Sequence, residues 1–447
     1  MKLHGTMKIN EAGHLEIGGC DTTNLVKEFG TPLVVLDEDL IRQTCRQYYH
    51  NFVQLYQNAE VIYASKAFSS LAMYKIICSE GLGLDIVSGG ELYTALQAEF
   101  PTERIYFHGN NKSVEELIMA LGHNVGRIVV DNLDELKMLN ELAALFKKKA
   151  DILLRITPGI EAHTHEFIKT GQIDSKFGFA LPTGQAIEGV KAALACDNIN
   201  LRGFHCHIGS QIFEMEPYRY ACQVMMNFIY DVKKSFHYEA EELNLGGGFG
   251  IYYHEGDSPS QVKTYAEVIM TAVKEHARAL SLALPKVIVE PGRSIIGPAG
   301  TTLYTVGSIK DIPGVRKYVA VDGGMADNIR PALYDAKYEA MVANKAILSG
   351  EEVVSITGKC CESGDMLIWN INLPRVSSGD ILAISCTGAY SYSMASNYNS
   401  LGKPAVVLVQ NGKADLIIRR QTYQDIISNQ VIPQRLRENN PSVTLMA

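Results

Sequence analysis

The stretch Val61-Ile-Tyr-Ala-Ser-Lys-Ala-Phe68 introduces a pattern that recurs along the chain. An apolar, strand-like run from Val61 to Ala64 leads into Lys66, and a segment with helical periodicity follows from Ser69 to Ser79. A lysine held among apolar neighbours is expected to have a lowered pKa, which would leave its neutral amine free to form a Schiff base. The ordinary alternative is a surface lysine whose alkyl chain covers apolar groups.

Eight short apolar, β-branched runs recur in the first two thirds of the chain. They lie near 60–64, 84–87, 104–107, 127–130, 152–156, 202–206, 243–246 and 286–290. Helical periodicity marks most of the intervals, at 68–80, 90–99, 113–121, 132–148, 183–195, 217–235 and 261–280. Repeated strand–helix alternation predicts an α/β fold in which a parallel sheet closes into a (β/α)8 barrel of the TIM type. We predict that this barrel domain spans residues 37–295 and begins with a helix.

The rhythm changes after about Ile296, where strand-like runs such as Ala405–Val409 are separated by Gly, Pro and Asp. We predict a mostly β second domain over residues 296–447, with strands from residues 1–36 joining its sheet. Arg435–Ala447 is expected to be a loose tail.

Composition excludes several classes of protein. The 447 residues include 41 basic and 49 acidic side chains, a net charge of −8 that gives no basic surface for nucleic acid or membranes. No apolar run is long enough to span a membrane, and the N-terminus lacks the apolar core of a signal peptide. The nine cysteines form no CxxC pair, which favours reduced thiols and a cytoplasmic protein.

Unusual polar residues lie at the ends of the predicted strands, where TIM-type barrels carry their active sites. Histidines and glycines that served only the core or tight turns would not be expected to recur at the ends of successive strands. These residues are Lys66, Asp85 with Ser88–Glu91, His108, Asp131, Arg155, His205–Ser210, Gly246–Gly250 and Glu290–Arg293.

The glycine cluster Gly246-Gly-Gly-Phe-Gly250 follows the seventh strand. Glycines let backbone N–H groups approach an anion, and barrels often bind phosphate after strands seven and eight. Ser210 could add a hydroxyl ligand. A tight turn without a ligand is the alternative interpretation.

The turn Glu290-Pro-Gly-Arg293 brings an acid and a guanidinium to the end of the eighth strand. Glu290 could keep a ring nitrogen protonated and Arg293 could clamp an anion, or the two could form a local ion pair. His205 and His207 lie on one side of an extended segment. Because no Cys/His cluster supplies further ligands, we predict no metal site there or at His163 and His165.

Three motifs of the second domain also contain candidate site residues. Arg330 and Tyr334 are four residues apart and would share a helix face, although a capped helix with a solvated arginine explains them equally. Cys360-Cys361-Glu362 lies in a Gly/Ser turn, whereas most free cysteines are inert and buried. Tyr390 is a candidate hydrogen-bond donor, and a core tyrosine is the default.

As a set, these motifs resemble the diaminopimelate decarboxylases, pyridoxal-phosphate (PLP) enzymes of the alanine racemase-like fold. The resemblance covers about Gly5 to Ile427. It rests on Tyr63–Ala67, Asp85–Leu92, Ile160–His165, Lys176–Phe179, His205–Gln211, Leu245–Gly250, Glu290–Arg293, Asp327–Tyr334 and Cys360–Asp365.

The resemblance implies a role for each motif. Lys66 would form the Schiff base, His207 would stack on the cofactor ring and Glu290 would face its nitrogen. Cys361 would donate a proton across the interface of a homodimer. The other implied cofactor ligands are Asp85, Ser210, Gly246, Gly247, Gly248, Gly292, Arg293 and Tyr390. The implied substrate ligands are Arg293, Arg330, Tyr334, Glu362 and Tyr390, with Glu362 also supplied by the partner.

The implied reaction is decarboxylation of meso-2,6-diaminopimelate to L-lysine and CO2, the last step of bacterial lysine biosynthesis. An acid such as Glu290 at the ring nitrogen favours decarboxylation over racemisation, because a protonated ring accepts electrons more readily. Two positions differ from the family pattern. Ala326 stands where a polar residue is usual, and Ser391 replaces a common glycine.

Two rival functions follow from the same motifs. Decarboxylases of ornithine, lysine or arginine act on substrates without a distal carboxylate, which would leave Arg330 unpaired in a closed site. Carboxynorspermidine remains open as a substrate. A non-catalytic relative that regulates a partner protein would be expected to lack the lysine or the proton donor, whereas Lys66 and Cys361 are both present.

Overall fold

The computed structural model describes residues 1–159 and 174–437. The chain begins with a small antiparallel sheet and a helix before it enters the two large sheets. These first elements are β1 Lys8–Ile9, β2 Leu15–Ile17, β3 Cys20–Asp21, α1 Thr22–Phe29, β4 Leu33–Asp37 and α2 Glu38–Tyr48. A π-helical segment, Tyr49–Gln54, extends α2, so the helix predicted to follow Asp37 is present.

In the described part of the chain, eight parallel strands then close into a barrel, and seven helices alternate with them. The strands in this part of the chain are β5 Ala59–Ala64, β6 Gly83–Ile86, β7 Ile105–Phe107, β8 Arg127–Val130, β9 Ala150–Thr157, β10 Phe179–Ala180, β11 Ile199–His205, β12 Glu242–Asn244 and β13 Lys286–Val289. The helices are α3 Leu71–Ser79, α4 Gly89–Gln97, α5 Val114–Gly122, α6 Leu133–Leu145, α7 Gln185–Leu194, α8 Glu216–Phe236 and α9 Val262–Ala279. Closure comes from the pairing of β13 with β5, while the short β10 pairs only with β9. The predicted barrel is confirmed.

Capping residues explain why the first barrel helices begin so soon after their strands. Ser70, Ser88, Ser113 and Asn132 each accept a hydrogen bond from the backbone N–H three residues further on. Such caps satisfy amides that have no partner within the helix. Each strand therefore turns into its helix within a short loop, which holds the strand-end side chains on a rigid frame.

A second, mostly β region follows the barrel, as the sequence predicts. Its elements are α10 Arg293–Ile296, β14 Gly300–Ile312, β15 Arg316–Val321, α11 Arg330–Tyr334, β16 Ala340–Val342, β17 Glu352–Thr357, β18 Met366–Leu373, β19 Ile381–Ile384, β20 Ala405–Gln410, β21 Lys413–Ile418, α12 Tyr423–Ile427 and α13 Gln434–Arg437. In this sheet β4 pairs with β14 and β20, whereas β1 to β3 form their own sheet. The domain boundaries at 37 and 295 stay predictions.

Charged residues close the N-terminal end of the barrel, and we call Glu60, Arg127, Asp151, Glu242 and Lys286 the barrel floor. Arg127 donates to Glu242 at 2.7 and 2.8 Å and to Asp151 at 3.2 Å. Lys286 lies 2.8 Å from Glu60 and 3.0 Å from Glu242. Three acids and two bases are thus joined in one network of ion pairs. Above them lies a small apolar cluster of Ile62, Tyr106, Val129, Leu153 and Ile288.

Some predictions fall on residues that the structure does not describe. The motif Ile160–His165, with His163 and His165, lies outside the described residues, as do residues 438–447 of the predicted tail. Within the described ranges, no helix combines the length and apolar character needed to cross a membrane.

Candidate active site

A cavity of about 540 Å³ lies at the C-terminal ends of the barrel strands and extends to the second region. It gathers side chains that are far apart in the sequence. The predicted site residues that line it are Lys66, His207, Ser210, Glu290, Arg293, Arg330, Tyr334 and Tyr390. The strand-end pattern therefore predicts the location of the cavity correctly.

Lys66 follows β5 and lines this cavity, where its side chain is exposed to solvent, so the choice between a reactive amine and a surface lysine stays a prediction. Our prediction of a lowered pKa is wrong. Burial lowers the pKa of Lys66, but the charges of Asp85, Tyr390 and Glu290 outweigh burial and raise it above its ordinary value. Apolar neighbours in the sequence do not reveal these groups, because they come from other parts of the chain. The charges around the resting amine therefore favour its protonated form.

Glu290 is 6% exposed and is held by three side chains from other strands. Asn244 donates to its Oε1 at 2.7 Å, His108 Nε2 lies 3.0 Å from Oε1, and His205 Nε2 lies 3.4 Å from Oε2. Burial by itself would raise the pKa of Glu290, but the neighbouring His108 and His205 lower it well below its usual range. Glu290 is a fixed carboxylate.

His205 and His207 are both neutral rings. Burial lowers the pKa of His205 to about 3, and burial with the charge of Lys66 lowers the pKa of His207 well below its ordinary value. The backbone N–H of Gly247 donates to His207 Nδ1 at 3.3 Å, which fixes the orientation of the ring at the cavity wall. A neutral, fixed ring is suited to packing against a flat ligand.

Asp85 lies in β6 beneath the cavity, 3.7 Å from His108 Nε2. Burial raises the pKa of Asp85 to about 6, and its Oδ2 has no hydrogen-bond partner among the described residues. His108, His205 and Glu290 offer ligand atoms within 4.8 Å of one another, a spacing that a metal ion could also use. The expected absence of a metal therefore stays a prediction.

The glycines at 246–248 let the backbone pass close to the end of β13. Gly246 and Gly248 have φ angles of +68° and +96°, which disfavour other residues. A Cβ on Gly247 would lie 2.2 Å from the backbone oxygen of Glu290. Gly292 is close to β5, because a Cβ there would lie 2.9 Å from Ala64 Cβ. These predicted cofactor glycines lie beside Glu290 and β5, but none of them is among the residues that line the cavity.

Arg293 does not pair with Glu290, so the local ion-pair alternative is wrong. It is 8% exposed and donates to the Tyr253 hydroxyl at 2.6 Å and to Ser210 Oγ at 2.9 Å. Its guanidinium also lies 4.8 Å from the centre of the Tyr390 ring. All of these partners are neutral.

Arg330 is also buried, with 7% of its surface exposed, so the solvated-arginine alternative is wrong. Its Nη1 donates to the Tyr338 hydroxyl, and its guanidinium lies 4.9 Å from the centre of the Tyr253 ring. Among the residues described, no carboxylate forms an ion pair with Arg330 or Arg293. The cavity therefore holds two buried cations without anionic partners.

Cys361 and Glu362 lie outside this cavity and are exposed. The backbone N–H of Cys361 donates to Asn399 Oδ1 at 2.7 Å, and Asp365 holds the neighbouring Cys360 N–H at 2.7 Å. Within one chain, the structure does not bring this turn to Lys66.

Several residues that the structure places at the site have no role predicted from the sequence. The position of His108 and His205 at strand ends does indicate a site, but no role is predicted for either residue. Tyr253 and Tyr338 give no such indication, because each lies in an irregular segment and resembles an ordinary core tyrosine. Their importance comes from their contacts with Arg293 and Arg330.

Comparison with known proteins gives the family. The model of the "Pyridoxal-dependent decarboxylase, pyridoxal binding domain" matches residues 39–297. A diaminopimelate decarboxylase of Bacillus subtilis is 55% identical over 427 residues, which cover 96% of this chain and 97% of that protein. This chain belongs to the diaminopimelate decarboxylase family. It is accordingly a carboxy-lyase with PLP as its cofactor, which confirms the predicted enzyme class and cofactor.

Two further relatives agree with this assignment. A diaminopimelate decarboxylase of Bacillus methanolicus is 55% identical over 421 residues, covering 94% of this chain and 98% of that one. A crystal structure of diaminopimelate decarboxylase from M. jannaschii in complex with L-lysine has a TM-score of 0.91 and 37% identity. It covers 97% of this chain and 100% of the other. The alanine racemase-like fold is thus confirmed.

The residues present fit a PLP group. Lys66 supplies the amine that such a cofactor needs, and Glu290 is a carboxylate suited to a ring nitrogen. Arg293 and Ser210, which line the cavity, suit a phosphate, and Arg293 Nε still lacks a hydrogen-bond partner in the structure described.

Proposed function

We propose that this protein decarboxylates meso-2,6-diaminopimelate to L-lysine and CO2, as the last step of bacterial lysine biosynthesis. One observation carries the proposal. Two buried guanidiniums, Arg293 and Arg330, share the cavity of Lys66 without an acidic partner among the described residues. Buried charges are normally paired, so the cavity is suited to a ligand set with two separate anionic groups.

The two anions are the cofactor phosphate and the distal carboxylate of the substrate. Arg293 lies with Ser210 beside the glycine turn, which suits the phosphate. Arg330 lies on the second region with Tyr334, which suits the carboxylate that the reaction leaves in place. A substrate without that carboxylate would leave Arg330 desolvated and unpaired.

The remaining residues have roles that follow from their positions. Lys66 binds the cofactor as a Schiff base, and the neutral ring of His207 packs against it. Glu290 holds a proton at the ring nitrogen, since it stays a carboxylate in its site. When bound, the protonated ring accepts the electrons that the departing CO2 leaves on the α-carbon. The other proposed cofactor contacts are Asp85, Gly246, Gly247, Gly248, Gly292 and Tyr390.

We further propose that the enzyme acts as a cytoplasmic homodimer. Cys361 and Glu362 are exposed on a turn that lies outside the cavity of their own chain. In the dimer, the partner subunit's Cys361 returns a proton to the α-carbon, and the partner subunit's Glu362 binds the distal amino group. Exposure of a thiol and an acid on one turn supports this arrangement.

The test is CO2 release from purified, PLP-loaded protein with four substrates offered separately. These are meso-diaminopimelate, L-lysine, L-ornithine and L-arginine. We expect release from meso-diaminopimelate alone, with L-lysine as the product. Release mainly from the other three would overturn the substrate assignment and leave the fold and cofactor standing. No release from any of them would favour carboxynorspermidine or a regulatory protein.

A further inference from the structure

Among the described residues, the side chains that contact the Arg330 guanidinium are neutral tyrosines. Its guanidinium lies 4.9 Å from the ring centre of Tyr253 and 5.7 Å from that of Tyr338. The two rings meet edge to face, with centroids 5.4 Å apart and an interplanar angle of 87°. Both tyrosines are buried, and the hydroxyl of Tyr338 accepts a hydrogen bond from Arg330 Nη1. This pair of rings restricts the guanidinium to one orientation at the cavity wall.

Among the described residues, Tyr338 is the side chain that accepts a hydrogen bond from the Arg330 guanidinium. A guanidinium has five N–H donors in a fixed fork. With Nη1 held by Tyr338, the remaining donors of Arg330 can face a ligand in the cavity that Arg330 lines.

We propose that Tyr338 is a positioning residue that sets the specificity of the site for a ligand with a distal carboxylate. It acts through Arg330 and does not touch the reacting atoms. Tyr338 holds Nη1, and the remaining donors of Arg330 face the carboxylate. The proposal rests on the proposed function, because it assumes that Arg330 binds that group.

A pair of ligands isolates this effect. L-lysine carries the carboxylate, whereas cadaverine has the same carbon chain with two amino groups and no carboxylate. Dissociation constants for both ligands are measured by the change in cofactor absorbance in PLP-loaded wild type and variants. The ratio of the cadaverine constant to the L-lysine constant reports the carboxylate contact alone, and KM and kcat for meso-diaminopimelate are measured beside it.

For Tyr338→Phe we expect the L-lysine dissociation constant and the KM to rise about tenfold, since a hydrogen bond to a charged group is lost. The cadaverine constant and kcat should stay within about twofold. Tyr106→Phe removes a buried hydroxyl that bonds Glu60 at 3.0 Å at the opposite end of the barrel. This matched control should change neither constant.

The outcomes separate the two proposals. A working wild type whose variants keep the wild-type ratio overturns the positioning role, and so does an equal loss for both ligands. Wild-type protein that releases no CO2 from meso-diaminopimelate overturns the proposed function itself. If Tyr338→Phe loses cofactor or thermal stability, the ratio of the two constants, measured on its folded and PLP-loaded fraction, decides the question.

Discussion

Buried charged side chains at the two ends of the barrel differ in the partners they have. On the floor, Glu242 is bound by Arg127 and Lys286, and each base contacts a second acid. At the other end, Arg293 and Arg330 are buried against tyrosines and a serine. The floor is therefore complete within the chain, whereas the cavity is complete only with anionic ligands.

This difference separates stability from function within one sheet. A buried charge costs several kcal/mol unless a partner compensates it. The floor meets that requirement with its own residues and holds the strands in register. In the cavity, the cofactor and the substrate supply the anionic partners of Arg293 and Arg330. Binding energy and specificity therefore come from the same two arginines.

The largest expected effect is at Lys66. Lys66→Ala should reduce turnover at least ~10³-fold and abolish the visible absorbance of bound cofactor, since the amine that anchors the aldehyde is gone. The measurements are CO2 release and the absorbance spectrum of the purified protein. Lys286→Ala on the floor is the matched control and should keep both per folded molecule. Turnover that survives in Lys66→Ala contradicts the Schiff-base assignment.

Glu242→Gln should destabilise the protein by about 3 kcal/mol at neutral pH, because Arg127 and Lys286 lose their shared buried partner. Urea unfolding measures the change, and activity of the folded variant should be unaltered. A midpoint equal to that of the wild type would show that the floor does not stabilise the barrel.

The same variant gives a pH signature. Burial raises the pKa of Glu242, but hydrogen bonds and charge from Arg127 and Lys286 outweigh it and lower the pKa below 4.5. The stability that Glu242 contributes is therefore present above pH 4.5 and is lost as the pH falls through the lowered pKa of Glu242. Wild type and Glu242→Gln should converge in acid. A difference that stays constant with pH would assign the effect to packing.

The smallest expected effect has the opposite sign. Arg330→Met should stabilise the cofactor-free protein by about 1 kcal/mol, because an unpaired buried cation is replaced by an apolar chain. Thermal unfolding measures this gain, and the KM for meso-diaminopimelate should rise. Arg127→Met on the floor is the control and should destabilise. Loss of stability in both variants would remove the proposed contrast between the two ends.

The sequence by itself determined the barrel, because alternating apolar periodicity and capping residues act over a few neighbouring positions. It also predicted that some strand-end residues, among them His207 and Arg293, share one cavity, since parallel strands bring their C-terminal ends to one face. Lys66 and Glu290 therefore met in one cavity as expected, and so did Arg330 from the second region.

Only the tertiary structure decided the charge states and partners. Lys66 has apolar neighbours in the chain, yet Asp85 and Glu290 from other strands raise its pKa. Arg293 stands three positions after Glu290 but donates to Tyr253 and Ser210 instead. Electrostatic interactions depend on distances in space, and these distances are set by elements that the local sequence does not contain.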